Sequence, residues 1–228
     1  WKDAVELAQR GWLDGARQAR EISQRALQEQ LQVIPHHKSR QIRRQRYGGG
    51  TLLVADYIRN IPDCYLHSVQ VVDPQFVQIV YNGAASATVS TSTMITRGTI
   101  VAGVVDVLEL HGFRCEVTLA YGLASRETSE TYVTLKAFAE SLDLDRLVFW
   151  TAHPSALRRL SFSVWECQSV QFLQDMAIGH GYGMPHDVTK QGDIYVPKAG
   201  SWDDAWSTPQ TAWDHVKKLM KEKGIDIN

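Results

Sequence analysis

The chain has 228 residues, 44% of them hydrophobic, which is enough to bury one full core, and its formal net charge of −1 excludes any global pull toward nucleic acid or an acidic membrane. Its three cysteines, Cys64, Cys115 and Cys167, are odd in number and far apart, which argues against a disulfide framework or a zinc ribbon and for a reducing cytoplasm. The longest apolar run, Thr99 to Val105, is too short to span a membrane and soon meets Asp106 and Glu109, so no membrane partner is expected.

From Trp1 to about Ile34, Val5, Ala8, Trp12, Ala16, Ala19, Ile22, Ala26, Leu27 and Leu31 recur at helical spacing and predict a helical N-terminal arm, bent or broken near Gly11 and Gly15. Arg17, Arg20, Glu21, Arg25 and Glu29 form its solvated face. The first residue is Trp1 rather than a methionine, which leaves open a preceding segment or signal peptide. Pro35 ends the arm, and His36 to Arg46 then carries five basic residues, Lys38, Arg40, Arg43, Arg44 and Arg46, with no acid, before Gly48-Gly49-Gly50. This strip reads as a solvated, β-edge connection or as a phosphate-contacting surface. The first reading is preferred, because Tyr47 is the one aromatic near enough to stack on a base. Residues 1–50 therefore form an arm and connection, and residues 51–228 an α/β domain.

Thr51 to Ile61 predicts a short strand and helix stopped by Pro62. Strands follow at Phe76–Tyr81, Phe113–Tyr121, Thr131–Phe138, Arg159–Trp165 and Asp193–Val196, helices at Arg97–His111 and Leu144–Ala152, and a short helical or buried segment at Val170–Met176. Thr208, Pro209 and Gly224 cap, start and stop a last helix over Pro209–Lys223. Alternation of this kind predicts a doubly wound, mostly parallel sheet, Rossmann-like, with ligands at the carboxyl ends of the strands. On the central helix Ile100, Val101, Val104, Val105 and Leu108 make one broad apolar face.

The segment IVYNGAASATVSTSTMITRG resembles the strand and metal loop of a von Willebrand factor A-type domain. Its nearest likeness is to the bacterial sort found in cobalt-chelatase subunits and in partners of AAA+ ATPases. Met94, Arg97-Gly98, Leu108-Glu109, Gly112 and Glu116 carry the match, with a second block at His153-Pro154 and Arg158-Arg159-Leu160. The resemblance implies a carboxylate and two hydroxyls holding a hard cation. Here those places fall on Asn82, Ala84 and Ser86, and the family's later acid is replaced by Trp165-Glu166, so no metal or cofactor is expected. Asn82, Ser86, Thr88, Ser90, Ser92, Thr93 and Glu166 are then expected to contact a protein partner.

No nucleophile elbow, phosphate-binding loop or dinucleotide fingerprint is present. His153, His180, His186 and Asp187 could build a metal-dependent hydrolase, and Trp202, Trp206 and Trp213 could dock the last helix or form a partner groove. The expected function is a non-enzymatic cytoplasmic interaction module. The whole pattern, with Pro62-Asp63-Cys64, resembles proteins of tailed bacteriophages, which implies a replication, transcription or AAA+ machine as partner in the infected cell. The alternatives are a nucleic-acid-binding accessory factor using the basic strip, and the hydrolase.

Overall fold

The chain divides into two compact units, one of Trp1–Ile34 with Phe76–Asn228 and one of Pro35–Gln75, in a computed structural model that describes residues 1–28, 38–46, 48–72, 75–178, 181–200, 205 and 208–222. The division does not follow the boundary expected at residue 50. Residues 35–75 are an insertion, and the N-terminal helices group with the larger unit.

The smaller unit comprises β1 (Lys38–Gln45), β2 (Thr51–Leu52), α3 (Val54–Ile58) and β3 (Tyr65–Val72). Its sheet is antiparallel in the order β1-β3-β2. Residues 38–45 of the basic strip thus form an edge strand; Arg43, Arg44 and, just after it, Arg46 are exposed, and Arg44 pairs with Asp56 at 3.1 Å. Charge of this density on an edge blunts unwanted strand pairing. The sequence reading assigns no element to β3, although Tyr65, Val69, Val71 and Val72 are residues that favour a strand.

The larger unit holds α1 (Lys2–Arg10), α2 (Leu13–Gln28), β4 (Phe76–Asn82), α4 (Thr91–Leu110), β5 (Arg114–Ala124), β6 (Thr128–Lys136), α5 (Leu144–Ala152), a π-helical segment (Ala156–Ser161), α6 (Phe162–Glu166), α7 (Val170–Asp175), β7 (Met184–His186), β8 (Ile194–Val196) and α8 (Pro209–Glu222). This is a mixed α/β unit with a five-stranded sheet flanked by helices. The strand order is β6-β5-β4-β8, with β7 also pairing β5. The central β5, β4 and β8 run parallel, while β6 and β7 are antiparallel to β5. The expected strand over Arg159–Trp165 is instead helical. Leu160, Phe162 and Val164 alternate as in a strand while Phe162 and Trp165 keep a helical spacing, and short apolar runs do not separate the two.

Val77, Ile79 and Tyr81 of β4, with Val117, Leu119 and Tyr121 of β5, join the helices in one core. The opposite face of these strands carries Val80 and Ala120 under Val188 and Tyr195. A doubly wound sheet has helices on both faces; here, among the described residues, the helices share one core and the segment around Val188 covers the other face. That segment is tied down by Glu130, which accepts from Thr189 Oγ1 at 2.7 Å.

Helix α4 is buried almost all round, from Met94 to Leu108. One apolar face would suit a helix lying on a sheet alone, but α4 also meets α2, α5 and α8. Small residues make this possible. Ala16 and Ala19 of α2 are fully buried, Gly103 faces the Ala19 carbonyl, and Ser23 Oγ donates to Asp106 at 2.7 Å. The expected N-terminal arm is therefore a packed layer: its break at Gly11, with φ of 89°, lies against the start of α5, where Trp12 N donates to Asp145 O at 2.9 Å. At Gly98 a Cβ would collide with the backbone of Thr151 and Ala152. The expected outcome of Gly98→Val is a loss of about 3 kcal/mol in urea unfolding, through forced separation of α4 and α5. Among the described residues no helix is long and apolar enough to cross a membrane.

Candidate functional site

Asn82 ends the central strand β4, at the carboxyl edge of the parallel part of the sheet. It is fully buried, and its side chain is spent inside the protein. Nδ2 donates to His186 O at 2.8 Å and to Tyr195 Oη at 3.2 Å, and Oδ1 accepts from Ala84 N at 3.1 Å. The amide thus ties the ends of β4, β7 and β8 together. A carboxylate would supply no donor for the His186 carbonyl, which is a physical reason for an amide here. Arg97, also buried, reaches back from α4 to donate to Asn82 O at 3.0 Å and lies 4.9 Å over the Tyr81 ring. Burial raises the Tyr81 pKa and the nearby guanidinium opposes the rise. Asn82 is therefore a structural junction and is not available to touch a partner.

The hydroxyls after it have local work. Ser90 is the N-cap of α4, accepting from Thr93 N at 3.0 Å, and its Oγ also bonds Ser92 and Thr93, each at 2.8 Å. Ser86 and Thr88 bond each other at 3.1 Å, with Thr88 exposed. The loop is stitched to the chain after β8, where Ala199 N donates to Ala84 O at 2.9 Å.

Beside this loop lies a cleft of about 470 Å³. The Ala84–Ala87 loop forms one side, Leu123, Met184 and Pro185 another, and Leu157, Arg158, Phe162 and Tyr182 the third. The phenyl ring of Phe162 and the phenol of Tyr182 stack with centroids 3.7 Å apart. Tyr182 Oη donates to Glu166, which raises the Tyr182 pKa. Glu166 also lines an adjoining cavity of about 240 Å³ with Leu173, Ile178, Gly181 and Tyr182. Arg158 Nη2 donates to Val89 O at 2.9 Å, fixing the guanidinium at the loop. The π-helical segment carries Leu157 and Arg158 into this wall, and such segments recur at functional sites.

The family model described as "Domain of unknown function (DUF7192)" matches residues 1–227. The chain belongs to this family. No curated protein and no solved structure matches it.

In this DUF7192 chain the other expected site residues are dispersed. His153 sits between Trp12, edge-on at 4.9 Å, and Phe149, stacked at 5.3 Å, and its Nδ1 accepts from Ser155 N at 3.2 Å. Asp187 accepts from Tyr195 Oη at 2.9 Å and pairs with Lys198 Nζ at 3.0 Å. Burial pushes the Asp187 carboxyl up, but the bonds from Lys198 and Tyr195 outweigh it and hold the group below the usual range. His186 contributes its carbonyl to Asn82, and His180 lies outside the described residues. Among the described residues no group of three or more His, Cys, Asp or Glu is placed to hold a metal. Trp202 and Trp206 also lie outside the described residues, and α8 docks through buried Met220. Lys38, Arg40, Arg43 and Arg44 lie in β1 and Arg46 just after it, in the other compact unit; His36 and Tyr47 are not described. Cys115 is buried, its thiol pushed up to about 12 by burial and then by Glu109, which suits a core filler. Glu109 itself pairs with nearly buried Lys136 at 2.8 Å.

The sequence reading does not pick out Phe162, Tyr182 and Met184 as cleft residues. The visible signals are the aromatic flanked by Gly181 and Gly183 and the paired arginines after Pro154, but these meet only through the tertiary fold.

Replacing Asn82 with Ala leaves the His186 carbonyl and Ala84 N without their partners, and the expected cost is about 3 kcal/mol in urea unfolding. Asn82→Asp is also destabilised, and millimolar Mg²⁺ does not raise its Tm, because Ala84 offers no second ligand. A second outcome concerns pH. Burial, together with the Arg159 charge, lowers the His153 pKa. Its contribution to stability is full above the unfolded value of about 6.5 and is lost as pH falls toward the folded value, since the unfolded chain takes the proton first. His153→Phe should flatten the fall in stability between about pH 7 and pH 5, measured by urea titration at each pH.

Proposed function

We propose that the chain is a non-enzymatic interaction module that binds a protein partner through the cleft at the carboxyl ends of β4 and β5. The single observation carrying this reading is that cleft: a mostly apolar, partly open recess with stacked aromatics, an exposed methionine at the rim and one fixed guanidinium. Apolar recesses with aromatic and methionine walls suit protein segments. Two further features support a von Willebrand A-like reading of the scaffold. Counted within the larger unit and leaving out the short β7, the strands lie in the order third, second, first, fourth, as in the first half of a doubly wound sheet. The loop after the first strand leads into the central helix with a serine cap. The amide of Asn82, used as a donor, supports a scaffold without metal chemistry at that place. The resemblance to partners of AAA+ ATPases and to tailed-phage proteins makes a AAA+, replication or transcription component the class of partner to seek first, in the cytoplasm.

The test is retention of a partner on the immobilised chain from the cell that produces it. Met184 is 69% exposed, so Met184→Lys should change stability by no more than about 0.5 kcal/mol. It should also abolish retention by placing an ammonium in the apolar recess. Undiminished retention by this variant sinks the reading.

A second reading, phosphate contact by the smaller unit, is favoured by the exposed Arg43 and Arg46 of the edge-strand region. Binding to a DNA duplex whose salt slope flattens by roughly one unit for each of Arg43→Gln and Arg46→Gln would carry it. Weak or salt-insensitive binding removes it.

A further inference from the structure

The cleft and its neighbour have opposite charges at their two ends. Tyr182 and Gly181 line both recesses, so the two lie side by side around one residue. At the loop end stands Arg158, exposed, with one donor given to Val89 O. No carboxylate pairs with it among the described residues. A guanidinium has five N–H donors in a planar fork, so most of its capacity faces outward. At the other end stands exposed Glu166, whose one described partner is the Tyr182 hydroxyl. Leu157 and Phe162 line the first recess with Arg158, Leu173 lines the second with Glu166, and Tyr182 lines both. A fatty acid or an apolar drug-like molecule would leave the Glu166 end unanswered, and a nucleic acid would meet a carboxylate. A second copy of the chain supplies no segment that the structure shows to fit. An extended peptide with a basic group, apolar side chains and a carboxylate in that order answers all three parts.

We infer that this groove takes a short peptide segment of the partner, its carboxylate forked by Arg158, its apolar side chain against the Phe162–Tyr182 stack and its basic group at Glu166. The inference rests on the proposed binding through the cleft and adds the chemistry and direction of the occupant. Arginine suits the carboxylate because its fork makes two parallel charge-assisted hydrogen bonds, which lysine does not. The polarity also fixes which way the segment runs, since reversal would set like charges together at both ends.

The test uses the full chain and a synthetic tetrapeptide, N-acetylated, of lysine, leucine, phenylalanine and leucine with a free terminal carboxylate, followed by calorimetry. The same peptide as its terminal amide, the same peptide with the lysine side chain acetylated, and dodecanoate are the comparison probes. The free acid is expected to bind at least about tenfold more tightly than the amide, a difference of about 1.4 kcal/mol. Arg158→Gln should erase that difference, Arg158→Lys should restore only part of it, and Glu166→Gln should erase the preference for free over acetylated lysine. Thermal melting of each variant confirms that it is folded. Equal binding of acid and amide, no binding of any peptide, or tighter Arg158-dependent binding of dodecanoate overturns the inference. If Met184→Lys abolishes retention of the cellular partner while Arg158→Gln and Glu166→Gln leave it intact, binding through the cleft stands and the polar peptide falls.

Discussion

The carboxyl edge of the sheet depends on one buried polar junction. Asn82 gives hydrogen bonds toward β7 and Tyr195 of β8 and takes one from its own loop, while Arg97 holds the Asn82 carbonyl from the first turns of α4. Buried polar groups are tolerated only when satisfied. Once the guanidinium and the amide are enclosed, strand ends, loop and helix must keep one arrangement. The junction, together with the bond from Ala199 N to Ala84 O, holds the loop that forms one side of the cleft without itself being reachable from outside.

A second constraint is steric. Helix α4 lies between the sheet and the other helices, which is possible because Ala16, Ala19, Gly98 and Gly103 let backbones approach closely. That close fit makes α1 and α2 a structural layer. Their junction at Gly11 and Trp12 meets α5 and His153. The chain after His153 continues directly into the π-helical segment, and from there into the wall of the cleft. The N-terminal helices therefore sit one step from the recess through packing.

The cleft itself is assembled from parts that are distant in sequence. Ala87 and Met184 belong to a loop and a short strand separated by most of the unit, and Arg158 and Phe162 come from the helical segment between them. Stacking of Phe162 on Tyr182 joins that helical wall to the glycine-flanked loop. Consecutive residues Leu157 and Arg158 of the π-helical segment both reach this wall.

Much of the fold was legible in the sequence. Helical spacing with a break at glycine gave α1 and α2, the apolar run of β4 followed by a hydroxyl-rich loop placed Asn82 at a strand end, and Thr208-Pro209 marked the start of α8. Local patterns of this kind are set by backbone sterics and by which face must leave water. What could not be read depends on neighbours. Residues 160–165 have no local property that distinguishes strand from helix, and packing of Trp165 on Tyr121 and of Phe162 on Tyr182 accompanies the helical form seen here. Asn82 reads as a partner-contacting residue because a sequence does not show that the His186 carbonyl will arrive opposite its amide. The sequence by itself determined α1 and α2 with their break, α5, the start of α8 and the central strand-loop-helix order, since these follow from residues a few places apart, while β3 and the helical form of residues 159–165 lay beyond it. The tertiary structure alone decided which polar side chains are buried in internal bonds, like Asn82 and Arg97, and which stay exposed, like Arg158 and Glu166, because that choice is made by contacts between residues far apart in the chain.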